Sequence, residues 1–141
     1  MDRKSPLFIL IAILSVARPA EANEALIAGA KKEGQFVWYT TTSALDNQAI
    51  LDGFMKKYPF IKAQAIQGRG SEVGSKFMFE ERAGRHLADV VRALDFDVEL
   101  LKKERAVAHY VSPSVEKFPP GMKDPEGYWA TDDFTFKMMA Y

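Results

Sequence analysis

A strand-like segment followed by a helix-like segment occurs three times in succession between residues 36 and 104, and this alternation constrains the fold more than any other feature. Each β-branched or aromatic run gives way to apolar residues at helical spacing. In the first helix, Leu51, Phe54, Met55 and Tyr58 recur at i, i+3, i+4 and i+7. The pattern predicts strands at 36–40, 61–66 and 88–91. It predicts a helix that begins after a Ser43 cap and ends before Pro59, a second at 72–83, and a third from an Asp95 cap to about 104. A short helix at 24–33 precedes the first strand.

Three consecutive βα units imply an α/β domain in three layers, with a mainly parallel sheet covered by helices on both faces. The chain is 48% hydrophobic, which is enough to build one core of this kind. In a parallel sheet the carboxyl ends of the strands share one edge, and ligands bind outside that edge. We therefore expect the loops after the three strands, near residues 40–43, 68–71 and 93–95, to form one rim.

Two of these loops carry groups that suit an anionic oxygen of a ligand. The first loop is rich in hydroxyl groups, and the second offers glycine-exposed N–H groups at a helix start beside the Arg69 guanidinium. The candidate ligand-binding residues are Thr41, Thr42, Ser43, Gly70, Ser71 and Glu72. Local roles remain open for several of them, because serine commonly caps helices and a glutamate in a first helical turn is stabilised by the helix dipole.

The sequence contains no recognisable catalytic or metal-binding motif. His86 and His109 belong to no metal-ligand pattern, the loop after Gly68 lacks the spacing of a nucleotide P-loop, and no G-x-S-x-G elbow occurs. Trp38, Tyr39, Phe54, Phe77 and Phe79 have core spacing. We expect no enzymatic activity and no cofactor, and leave metal binding open. The alternative is an exported α/β enzyme that uses Asp95 or Glu72 on the same rim as acid or base.

The first 22 residues have the features of a secretory leader. Arg3 and Lys4 precede an apolar run at 7–17, and Ala20-Glu21-Ala22 is an A-x-A cleavage signal. The run is too short to cross a hydrocarbon core of about 30 Å. The chain has no cysteine and a formal net charge of 0. We therefore predict a signal peptide at 1–22, a periplasmic location, and no nucleic-acid partner.

The remaining chain, 23–141, is expected to be one domain whose last part changes character. From residue 106 onward, short extended pieces are broken by turns such as Pro119-Pro120-Gly121. Strand character returns at 128–130 and at 134–141, and the sequence ends within that apolar run. We expect Tyr141 to be a truncation point.

The order of these segments resembles the N-terminal lobe of the periplasmic solute-binding proteins of ABC importers, in the group that includes binders of ferric iron, phosphonates, sugar phosphates and polyamines. The resemblance covers nearly the whole chain. It rests on the leader and on the segments 36–40, 54–59, 70–72, 88–91 and 124–129. It implies the first of two α/β lobes, which together close on a solute and hand it to a permease in the inner membrane.

The same resemblance implies what the site would hold. Iron-binding relatives have a glutamate at the start of the helix after the second strand, which Glu72 matches, and a histidine in the first loop, where this chain has Thr41, Thr42 and Ser43. The tyrosines that complete an iron site belong to the second lobe. The expected solute is ferric iron or an anionic organic molecule, and one lobe alone is expected to bind it weakly. A non-functional gene fragment is a further alternative.

Overall fold

Residues 19–133 are described by the computed structural model of the protein. Its helices and strands follow the three-unit alternation of the sequence. They are α1 (Pro19–Glu33), β1 (Gln35–Thr40), α2 (Ala44–Lys57), β2 (Lys62–Gln67), α3 (Glu72–Arg82), β3 (Val90–Val91) and α4 (Asp95–Lys103), followed by a 3-10 turn at Pro113–Val115. The predicted strand at 134–141 and nearly all of the predicted leader lie outside the described residues.

The three strands form one parallel sheet in the order β2-β1-β3. The register pairs Thr40 with Gln67 on one side of β1 and Tyr39 with Val91 on the other. This confirms the predicted α/β fold with a parallel sheet. The central position of β1 follows from its sequence, because its aromatic and β-branched side chains tolerate burial on both faces.

Helices cover both faces of the sheet, as expected for three layers. Phe36 of β1 stacks on Phe54 of α2, with ring centroids 5.0 Å apart. The next residue, Val37, points to the opposite face and packs with Tyr39 against α3 residues that include Phe77. Helix α2 therefore lies on one face and α3 on the other.

The main core lies between the sheet, α3 and α4. Its buried members are Tyr39, Val73, Phe77, Met78 and Leu101. The predicted core role is confirmed for Trp38, Tyr39 and Phe77, and Phe54 is half-buried. It is wrong for Phe79, which is 67% exposed, because it lies on the outer side of α3.

Two local predictions differ from the structure near β3. The strand is only two residues long, since the Asp89 carboxylate, rather than a backbone carbonyl, accepts the Val37 N–H at 2.7 Å. The cap of α4 is Leu94, and Asp95 is the first helical residue, whose carboxylate accepts the Phe96 N–H at 2.9 Å. An aspartate one position inside the helix still faces the positive end of its dipole.

Residues 19–34 belong to a unit separate from the one that contains the sheet. Its helix α1 begins at Pro19, earlier than the predicted residue 24, and ends where the Gly34 N–H donates to the Ala30 carbonyl at 2.9 Å. The segment after α4 is mostly irregular, as predicted. In place of a strand at 128–130 it has one antiparallel bridge, between Lys123 and Ala130.

Candidate functional site

The carboxyl ends of the three strands lie at one edge of the sheet. Thr40 ends β1 directly beside Gln67, the last residue of β2, and the Gly68 N–H donates to the Thr40 carbonyl at 3.0 Å. On the other side, the Arg92 N–H donates to the Tyr39 carbonyl at 2.7 Å. The loops that leave the strands therefore start side by side.

A broad open concavity of about 2080 Å³ reaches this edge and extends along β3 as far as Glu81 and His86; we call it the β1–β3 cleft. It is bounded by the loop at 41–43 after β1, by residues 92–95 after β3, and by parts of the irregular segment 106–133. The connection after β1 leads away to β2 on one side, whereas β3 lies on the other side. Such a point of divergence between neighbouring strands is where open parallel sheets bind ligands.

The loop after β1 is held by its own hydrogen bonds. The Thr40 hydroxyl, which is fully buried, accepts the Thr42 N–H at 3.0 Å. The Asn47 side-chain amide donates to the Thr42 carbonyl at 3.1 Å. Both backbone groups of Thr42 are therefore engaged within the protein, and the loop is fixed before any ligand arrives.

The three hydroxyl groups of this loop have different roles. The Ser43 hydroxyl caps α2, accepting the Asp46 N–H at 3.3 Å and donating to the Asp46 carboxylate at 2.6 Å, which matches its predicted capping pattern. The Thr41 hydroxyl accepts a hydrogen bond from Arg92 at 2.8 Å. The Thr42 hydroxyl has no hydrogen bond to any described residue, and it is the member of the trio best able to meet a solute.

Arg92 is the main residue of the cleft that the sequence prediction missed. Its side chain is 20% exposed, and besides Thr41 it contacts Asp132 through Nε at 2.7 Å and Asp133 through Nη2 at 2.5 Å. The sequence did contain a signal for Arg92, since this arginine directly follows the predicted third strand and starts the third loop. Its partners were not predictable, because they lie 40 and 41 residues further along the chain.

The other three candidate residues follow β2 and do not line the β1–β3 cleft. Gly70 is exposed and has a positive φ of 48°, which lets the chain turn into α3. Ser71 is at the cap position of α3, but its hydroxyl makes no capping hydrogen bond. Glu72 accepts the Arg69 N–H at 3.0 Å, so it closes the turn that precedes its own helix.

The lining of the β1–β3 cleft is strongly acidic. Nine of its residues carry carboxylates, whereas its cations are Arg92 and Lys123. Arg92 is already paired with two aspartates, and Lys123 donates to the carbonyls of Val115 and Glu116 at 3.1 and 2.6 Å. The negative groups outnumber the positive ones, so the cleft attracts cations and repels anions.

One carboxylate of the cleft is buried and structurally engaged. Burial alone would raise the pKa of Asp124, but hydrogen bonds from the Lys102 ammonium at 2.9 Å and the Tyr128 N–H at 3.1 Å together lower that pKa. Hydrogen bonding to Asp124 in turn raises the pKa of Lys102. The pair ties α4 to the irregular segment and thereby shapes one side of the cleft.

No protein-family model and no curated protein matches this chain. Among residues 19–133, no three His, Cys, Asp or Glu side chains are grouped in a way that could hold a metal ion. Within the same range, no helix is long and apolar enough to cross a bilayer.

Proposed function

We propose that this chain belongs to the solute-binding component of an ABC importer, which captures a small solute in the β1–β3 cleft and delivers it to an inner-membrane permease from the periplasm. The observation that carries the proposal is the open cleft at the carboxyl ends of β1 and β3, where the prearranged hydroxyl loop meets Arg92. Parallel sheets commonly bind ligands in a cleft at this position. The resemblance described above supplies the transport role.

The charge of the cleft narrows the class of solute. The hydroxyl-rich loop alone favoured an anionic solute over ferric iron, but the carboxylates around it favour a cation. An anion would have to displace Asp132 and Asp133 from the Arg92 guanidinium. Arg92 would then exchange one anionic partner for another, with little net gain in binding free energy. We therefore propose an organic cationic solute, such as a polyamine.

Titration of the chain with spermidine, ferric citrate, a phosphonate and a sugar phosphate, followed by amide chemical shifts in NMR, tests this function. We expect a cation to bind weakly, with a Kd above about 0.1 mM, because one wall of a cleft provides only part of the contacts. The shifted amides should be those of residues 41–43 and 92–95. Shifts confined to other surfaces, or no binding at 20 mM of any probe, would contradict the proposal.

A pair of variants separates the two halves of the predicted rim. The hydroxyls of Thr42 and Ser71 both lack a hydrogen-bond partner among the described residues, but only Thr42 lines the β1–β3 cleft. Thr42→Val should weaken solute binding severalfold, and Ser71→Ala should leave it unchanged. If Ser71→Ala had the larger effect, the site would lie on the β2 side instead.

The Asp132→Asn/Asp133→Asn double variant tests the charge preference. Removing both carboxylates releases the Arg92 guanidinium and makes the cleft less negative. Cation affinity should then fall and phosphonate affinity should rise, by about tenfold each for charge-assisted contacts. If the order of affinities were unchanged, these aspartates would not determine which solute the cleft prefers.

A further inference from the structure

A second cavity, of about 270 Å³, lies between helices α3 and α4; we call it the α3–α4 groove. Met78 and Phe79 of α3 form one wall, and Leu100 and Leu101 of α4 form the other. Phe79 and Leu100 are exposed, so the groove is open to solvent along its apolar middle. The groove is slightly smaller than a typical drug-sized pocket and fits a small ligand.

A buried carboxylate lies at one end of this groove. Asp97 is only 7% exposed, and its side chain makes no hydrogen bond or ion pair with any described residue. It reaches this position because Gly74 on α3 has no side chain, which brings α4 so close that a Cβ on residue 74 would lie 2.8 Å from the Asp97 Cβ. A buried carboxylate without a partner is costly and rare.

The charges at the other end of the groove do not compensate Asp97. Arg82 also lines the groove, but its guanidinium is paired with Glu104 at 3.0 Å. Ser75, beside Gly74, is a neutral neighbour. The groove therefore combines an apolar middle with one carboxylate that has no ion-pair partner among the described residues.

We propose that the α3–α4 groove binds a small organic ammonium ion, whose charged nitrogen contacts the Asp97 carboxylate and whose apolar body lies between Met78, Phe79 and Leu100. An ammonium supplies both the hydrogen-bond donors and the positive charge that Asp97 lacks. Its hydrocarbon part covers apolar surface that is now exposed to water. The proposal does not depend on the transport role, because this groove and the β1–β3 cleft have separate linings.

Three probes of one shape test the charge requirement: benzylammonium, benzyl alcohol and benzoate, titrated into the full chain and followed by amide chemical shifts in NMR. We expect saturable shifts at Gly74, Ser75 and Asp97 with benzylammonium. Benzyl alcohol should bind at least about tenfold more weakly and benzoate not at all, because a charge-assisted contact contributes more than a neutral one. Equal affinities for the amine and the alcohol would overturn the proposal.

The Asp97→Asn variant tests the named anchor, and Asp52→Asn is its matched control. Asp52 is an exposed helical aspartate of α2 that lines neither the groove nor the β1–β3 cleft. Asp97→Asn should reduce benzylammonium affinity about tenfold and leave benzyl alcohol unchanged, whereas Asp52→Asn should change neither. The Asn variant should remain folded, since it removes a buried charge without changing the shape, and its NMR spectrum verifies this. Unchanged amine binding in folded Asp97→Asn would refute the role of Asp97.

Discussion

Substituting alanine for Gly74 should destabilise the protein, although alanine is the better helix former. In the interior of a helix, glycine to alanine contributes about 0.8–1.0 kcal/mol of stability. At Gly74, however, the new Cβ would lie 2.8 Å from the Asp97 Cβ and 2.9 Å from its Cγ, closer than carbon atoms approach in folded proteins. Overpacking of a tight contact typically costs about 1–3 kcal/mol, so we expect a net loss of up to about 2 kcal/mol.

Gly53→Ala is the matched control for this substitution. Gly53 lies within α2 and has no atom within 4 Å of its virtual Cβ, so alanine there should raise the free energy of unfolding by about 1 kcal/mol. The difference between the two variants isolates the packing cost at the α3–α4 contact. Urea unfolding followed by circular dichroism measures both. The reasoning fails if Gly74→Ala is stabilised as much as Gly53→Ala, because α3 and α4 would then not be in close contact.

Two further predictions concern side-chain hydrogen bonds that are seen in the structure but could not be predicted from the sequence. Asp89→Ala should lower the free energy of unfolding by about 1–2 kcal/mol in urea titrations, because it leaves the Val37 N–H without its acceptor, whereas Asp89→Asn keeps an acceptor and should lose less. The lowered pKa of Asp124 means that its contribution to stability is complete above the unfolded carboxyl pKa of about 3.9 and is lost as the pH falls through the lower folded value. Unfolding measured from pH 6 to pH 2 should therefore show a steeper acid loss in the wild type than in Asp124→Asn, and parallel curves would contradict the assignment.

The repeating parts of the fold could be predicted from local sequence because hydrophobic periodicity determines them. The aromatic strand β1 and the amphipathic α2, with its Ser43 cap, fall within a residue or two of their predicted bounds. β3 was harder, since its length depends on whether a backbone carbonyl or the Asp89 carboxylate accepts the Val37 N–H. The exposure of Phe79 was likewise hidden, because spacing along a helix does not show how much of each face a neighbour covers.

The candidate site could be predicted only in part, because it depends on the order of the strands in the sheet. Strand order places the loop at 41–43 beside β3, and a parallel sheet made that loop a sound candidate. The loop at 70–72 was an equally good candidate by sequence, but it leaves β2, a strand on the opposite side of β1 from β3. Only the strand order β2-β1-β3 separates the two, and that order is set by long-range pairing.

The hydrogen bonds within the rim also change which solute it suits. Sequence reasoning counts each hydroxyl and N–H as a donor available to an anion, yet the Thr42 N–H and the Ser43 hydroxyl already donate within the protein, and the Thr41 hydroxyl accepts from Arg92. Arg92 itself meets two carboxylates from residues 132 and 133. Each of these internal bonds removes one donor that an anion would need, while the surrounding carboxylates remain as acceptors. We therefore propose that the folded rim suits a cation better than the anion that its sequence favours.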